Sequence, residues 1–184
     1  MSTSLIILAV LALVLVLMYN SLVGKKNQVE NIFASVDTVL KKRYDLIPNL
    51  VASVSKYMEH EKSLLEEVTK LRSEATKPNL SDAHKIALDA KVTSALGSIM
   101  VAVEAYPELK ANENVMHLQH TLHEVEEQIS AARRAYNQAV TDYNNAIEMI
   151  PTSFMASLMH YGRKQVFEVD ASERQNVNVK ELFS

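Results

Sequence analysis

Two hydrophobic patterns divide the chain. From Leu5 to Met18 every side chain is apolar, and no charged side chain occurs before Lys25. Beyond that point the apolar residues thin to narrow stripes. Phe33, Val36, Leu40, Ile47, Leu50, Val54, Tyr57, Leu64, Val68 and Leu71 fall on one seam of threes and fours, with Arg43 and Glu61 filling two of its positions. Leu88, Val92, Ala95, Ile99, Ala102 and Tyr106 form a second seam. Val115, Leu118, Leu122, Val125, Ile129, Ala132, Tyr136, Ala139, Tyr143, Ala146 and Ile150 form a third. A stripe this narrow is what a helix shows when it packs along most of its length. The first pattern predicts a membrane-spanning helix and the second an all-α domain.

The charge-free stretch continues through Tyr19–Val23, so Leu5 to Val23 would reach about 28 Å as a helix, enough for a bilayer core. No basic residue precedes it and no small-x-small cleavage site follows Met18, so a retained anchor is expected over residues 1–24 rather than a cleaved signal. Leu5, Ile6, Leu11, Leu15 and Val23 are its lipid-facing candidates. Lys25, Lys26, Lys41, Lys42 and Arg43 follow the span, opposed only by Glu30 and Asp37. The positive-inside rule then places the C-terminal part in the cytoplasm, with membrane lipid as a partner.

The breaks between seams are legible. Pro78-Asn79 separates the first from the second, Ser81 is a suitable N-cap, and Pro107 ends the second helix at or before Tyr106. Leu109 lies opposite the third seam, so the third helix is expected to start near Asn112 and to stop at Pro151. Pro48 admits two paths. The chain turns near residues 44–48, giving four helices, or one long helix kinks at Pro48 and runs through residues 25–76, giving three.

Composition narrows the chemistry. Three glycines, at 24, 97 and 162, cannot build a glycine-cradled nucleotide site, and the absence of cysteine removes thiolate catalysis, thiolate metal sites and disulfides. A net charge of −3 gives no reason to expect nucleic acid. No serine–histidine–aspartate set or paired-carboxylate pocket is readable, so neither catalysis nor a cofactor is expected. His117, His120 and Glu124 could contribute to a metal site, His120 and Glu124 being one turn apart. They point away from the apolar seam, however, and a solvated face is the leading expectation. Arg43 and Glu61 would lie roughly 27 Å apart on a continuous helix and cannot pair there; polar seam residues more often fix register or oligomer state. Tyr106, Pro107 and Asn112 mark a connector that is also a candidate binding loop. Phe154, Leu158 and Tyr161 share one face beyond Pro151. Packing on the bundle end is the leading expectation there, followed by contact with another subunit. A membrane-interface helix stands behind both, because such helices carry Lys or Arg opposite the apolar face and this one has none.

Several blocks resemble the LemA family of bacterial membrane proteins: Tyr19–Val23, Asn27–Glu30, Leu40–Val51, Tyr57–Glu61, Glu104–Asn114, Tyr136–Val140 and Asp142–Asn144. The resemblance covers about residues 5 to 168. It implies an N-terminal anchor, an antiparallel up-and-down helical bundle over residues 25–150, and no enzyme; it favours the four-helix path at Pro48. One branch of the family comprises magnetosome membrane proteins, which implies work in organising membrane. Residues 151–184 depart from the family's Phe/Gly-rich pattern, ending in a polar extension from Asp170 to Ser184. The expectation is therefore a single-pass protein of the bacterial inner membrane. Its cytoplasmic bundle would act as a self-associating scaffold or adaptor, with a homo-oligomer or another membrane protein as partner. The alternatives are an accessory subunit presenting substrates to a membrane enzyme or protease, and a metal- or pH-responsive sensor.

Overall fold

The computed structural model describes residues 2–167. Six helices follow one another with no strand among the described residues: α1 (Ser2–Val54), α2 (Lys62–Ala75), α3 (Asp82–Val103), α4 (Pro107–Lys110), α5 (Glu113–Glu148) and α6 (Thr152–Leu158). Four of them, α1, α2, α3 and α5, form an up-and-down bundle. The extension from Asp170 to Ser184 lies outside the described residues.

α1 runs through Pro48, which corrects the turn expected at residues 44–48. Proline has no N–H to give the carbonyl four residues back, here that of Tyr44. Arg72 of α2 reaches across and donates from Nε to that oxygen at 2.8 Å, so a neighbouring side chain repairs the gap. The helix ends at Val54, and the Ser55, Tyr57 and Met58 amides close onto the Val51 and Val54 carbonyls. The chain then folds back into α2. A single helix over residues 25–76 is thus corrected as well. The seam stays in phase across the break because α2 lays its stripe, Leu65, Val68 and Leu71, against the same core. Periodicity cannot tell a helix that continues from one that doubles back.

The remaining ends follow local chemistry. The Ser81 hydroxyl accepts from the His84 amide and caps α3. Pro107 opens the short α4, whose Leu109 is fully buried. The Asn112 side chain accepts from the Asn114 and Val115 amides and starts α5 where the seam requires.

α1 and α5 are antiparallel and in strict register. Arg43 faces Glu126 and Phe33 faces Tyr136, ten residues back on α1 for ten residues forward on α5. Eleven further residues bring Leu22 level with Ile147, both buried. The chain continues past α6 as an extended segment strapped to α5. Asn144 makes a reciprocal pair of hydrogen bonds with the Lys164 backbone, both at 3.0 Å. Asn137 does the same with Phe167, both at 2.8 Å. Seven helical residues and three extended ones each cover about 10 Å, which is why the two asparagines fit. Phe167 is buried against Tyr136, which in turn meets Phe33, each pair of rings 5.3 Å apart. The packed body therefore extends past Ile150, where the sequence places its boundary, to Phe167.

Candidate functional site

The centre of the bundle holds charge. Arg43 of α1 and Asp89 of α3 are each only 1% exposed and form an ion pair. Arg43 also donates to Glu126 of α5 at 2.8 Å and to the Thr93 hydroxyl at 2.9 Å. Arg133 of α5 takes the other Asp89 oxygen through Nε at 3.0 Å and Nη2 at 2.5 Å. Two guanidiniums and two carboxylates balance, as buried charge must. Among the described residues, the buried Arg43 Nε has no protein partner. Burial pushes the Asp89 carboxyl up from its ordinary value, against the downward pull of Arg43 and Arg133. Burial also lifts Tyr44, beside this cluster, to about 12, with the Asp89 charge adding to it.

Chemically, this arrangement clamps. Each oxygen of Asp89 is taken by a different arginine, and the Thr93 hydroxyl accepts from both. The cluster ties α1, α3 and α5 at one height, so a slip of any one helix by a turn would strand charges in the core. Arg43 was legible as a polar interruption of a seam; its partners were not. A second stripe shows where they lie. Asp89, Val92, Leu96, Ile99 and Val103 also step by three and four on α3, as do Glu126, Ile129, Arg133, Tyr136 and Val140 on α5. A helix that packs on two neighbours has two stripes, and the charges occupy the second.

Glu61, the other polar seam residue, serves elsewhere. At the start of α2 it accepts a hydrogen bond from the Tyr106 hydroxyl at 2.6 Å, and this bond raises the Tyr106 pKa. Tyr106, Pro107 and Asn112 thus each hold the far end of the bundle together: a hydrogen bond, a helix start and a cap. His120 lies 3.6 Å from Glu124 and His123 3.5 Å from Glu127, all four exposed. His117 is exposed on the same helix, and no third ligand converges on these pairs among the described residues. Leu5, Ile6, Leu11 and Leu15 are exposed on α1 and Val23 is half-buried where the bundle begins. Phe154 and Leu158 are exposed, whereas Tyr161 is half-buried, 6.1 Å from the Tyr143 ring and beneath the Lys26 ammonium.

A bundle clamped by internal charge and continuous with an exposed apolar helix defines a class, the membrane-associated helical proteins. α1 is long and apolar enough to cross a membrane. α3 meets the same length and composition test, but it buries its apolar face in the core and carries the paired Asp89. The chain belongs to the LemA family, whose model matches residues 32–180. It is similar to magnetosome protein MamQ 2 of Paramagnetospirillum magneticum, 28% identical over 95 residues, 52% of this chain and 35% of that one. It is also similar to magnetosome protein MamQ of Magnetospirillum gryphiswaldense, 29% identical over 79 residues, 43% of this chain and 29% of that one. The chain thus matches about a third of the length of these relatives.

Proposed function

We propose that the protein is a single-pass, membrane-anchored scaffold without catalytic activity, with its helical bundle in the cytoplasm. One observation carries this reading. The apolar segment and the first bundle helix are a single 53-residue helix, α1, with no linker between them. A bundle joined through a flexible linker would sample many orientations; one built on the anchor itself is held at a fixed height and tilt. That rigidity suits a protein whose task is to set positions. The basic residues after the apolar segment support the orientation, and relatives that are magnetosome proteins support work at a membrane. Self-association fits the single anchor and the exposed outer faces of the bundle helices.

Purification in detergent followed by mass measurement tests the scaffold. A homo-oligomer is expected, and a monodisperse monomer over a wide concentration range would favour the accessory subunit. A groove of about 600 Å³ between the end of α1 and α2, lined by Val51, Leu65 and Thr69, supports that second reading. Single cysteines at the exposed Glu59 and Glu127 test the orientation in intact cells. Both should resist a membrane-impermeant thiol reagent, and rapid labelling of both would place the bundle on the other side.

A further inference from the structure

Four large apolar side chains crowd one corner of the bundle. Met149, Ile150, Phe154 and Leu158 are 63, 78, 69 and 77% exposed. Elsewhere among the described bundle residues Val101, Met116 and Val166 are exposed, each well apart from the others in the sequence. Single exposed apolar residues are ordinary on a soluble surface, whereas a cluster marks a contact.

The helical register fixes the height of this corner. Ile147 is level with Leu22, and α5 ends at Glu148, level with Ser21, so its last turn already stands inside the charge-free segment of α1. Tyr161, where the chain climbs back, stands beside Lys26. Between them α6 packs on both α5 and α1. From Gly24 to Ser21 is three residues, roughly 5 Å along the helix, within the depth that interfacial helices reach. Ala156 is buried and turns α6 toward the bundle, which leaves Phe154 and Leu158 outward.

The lack of Lys and Arg in α6 counts against an interfacial helix only while α6 is considered alone. In the folded protein Lys25 and Lys26 approach from α1, and Arg163 and Lys164 from the returning segment, which Asn144 holds in place. The acidic groups at this height are Glu30, 3.6 Å from Lys26, Asp142, which accepts from Gln138 at 3.0 Å, and Glu148, paired with Arg163; His160 is exposed alongside. The basic groups outnumber them.

We propose that residues 149–158 form a second membrane contact. Ile150, Phe154 and Leu158 seat in the acyl boundary, and Lys25, Lys26, Arg163 and Lys164 meet the phosphates of anionic lipids. This rests on the reading that α1 spans the bilayer. With α1 it gives the bundle two points of attachment, which fixes its rotation about the anchor as well as its height.

The chain has no cysteine, so single fluorescent labels can be placed on Phe154→Cys, Leu158→Cys, Leu11→Cys and Glu59→Cys in the full-length protein. In nanodiscs containing phosphatidylglycerol, a lipid with a shallow nitroxide should quench labels at 154 and 158 roughly twofold or more above the label at 59, as shallow insertion requires. A deep nitroxide should quench the label at 11. Quenching at 11 with 154 and 158 no different from 59 would overturn this proposal and leave the anchor standing. Quenching at 154 and 158 but not at 11 would remove the spanning helix and keep the lipid contact; loss at all three would remove both. Oxidative cross-linking of Phe154→Cys between copies, without quenching, would assign the corner to a second copy and overturn the proposal. Replacing phosphatidylglycerol by phosphatidylcholine, or Lys25, Lys26, Arg163 and Lys164 by Gln, should lower quenching at 154. An unchanged signal would overturn the headgroup contact.

Discussion

The centre of the bundle and its anchor-side corner break the same rule in opposite directions. At the centre, charge is inside: Arg43 and Asp89 are as buried as any leucine of the core. At the corner, hydrophobic groups are outside: Ile150, Phe154 and Leu158 face away from the protein. The central violation is settled within the chain, because each charge meets its opposite. The corner has no such settlement among the described residues. A buried charge without a partner costs far more than an exposed methyl group, so the first kind of exception must be resolved in folding, while the second can wait for a membrane.

That difference is open to measurement on purified protein in detergent. The largest effect is expected at the centre. Asp89→Ala leaves Arg43 facing Glu126 and Thr93 alone, and should lower unfolding free energy by about 3–5 kcal/mol. Arg43→Met combined with Asp89→Leu should recover most of that loss, because Arg133 and Glu126, 3.6 Å apart, remain to pair with each other; a loss as large in the double variant would show that the cluster contributes more than balanced charge.

Arg72→Ala comes next. It strands the Tyr44 carbonyl at the Pro48 gap and should cost about 1–3 kcal/mol in denaturant melts. Pro48→Ala restores the missing amide donor, so the same Arg72 substitution should cost clearly less in that background. Equal costs in both backgrounds would mean that Arg72 stabilises through packing rather than through this hydrogen bond.

Alkaline pH probes the core around the clamp. Tyr44 and Tyr136 are pushed up from 10.0 to about 12 by burial. The folded state then keeps protons that the unfolded chain releases, so their contribution is fully present below pH 10 and is lost as pH rises toward 12. Urea midpoints should decline across that window, and Tyr44→Phe with Tyr136→Phe should flatten the decline.

The smallest effect belongs to the corner. Phe154→Ser and Leu158→Ser should each change stability in detergent by no more than about 0.5 kcal/mol, as exposed sites do. A loss of several kcal/mol would show that these side chains pack within the fold, and the contrast with the centre would disappear.

Much of the architecture was open to reading along the chain because it is local. The apolar run, the seams, the Ser81 and Asn112 caps and the stop shortly before Pro151, at Glu148, each depend on residues within a few positions of one another. Pro48 shows where such reading fails. Its effect depends on Arg72, 24 residues on, and no pattern near residue 48 announces that partner. Asp89, Glu126 and Arg133 escaped for a related reason. Singly, each is one charged residue beside an apolar stripe, which on most helices faces water.

By itself, then, the sequence determined that this is a helical protein with an apolar N-terminal segment, because helix periodicity and hydropathy are properties of short stretches of chain. It also determined membership of the LemA family, through blocks such as Leu40–Val51 and Glu104–Asn114. Only the tertiary structure decided where α1 doubles back, which charges meet at its centre, and that Phe167 returns to the core. Only it gathered Lys25, Lys26, Arg163 and Lys164 around an apolar corner. These are contacts between residues some 20 to 140 positions apart, and they depend on which stripe faces which helix, a choice that no single helix contains.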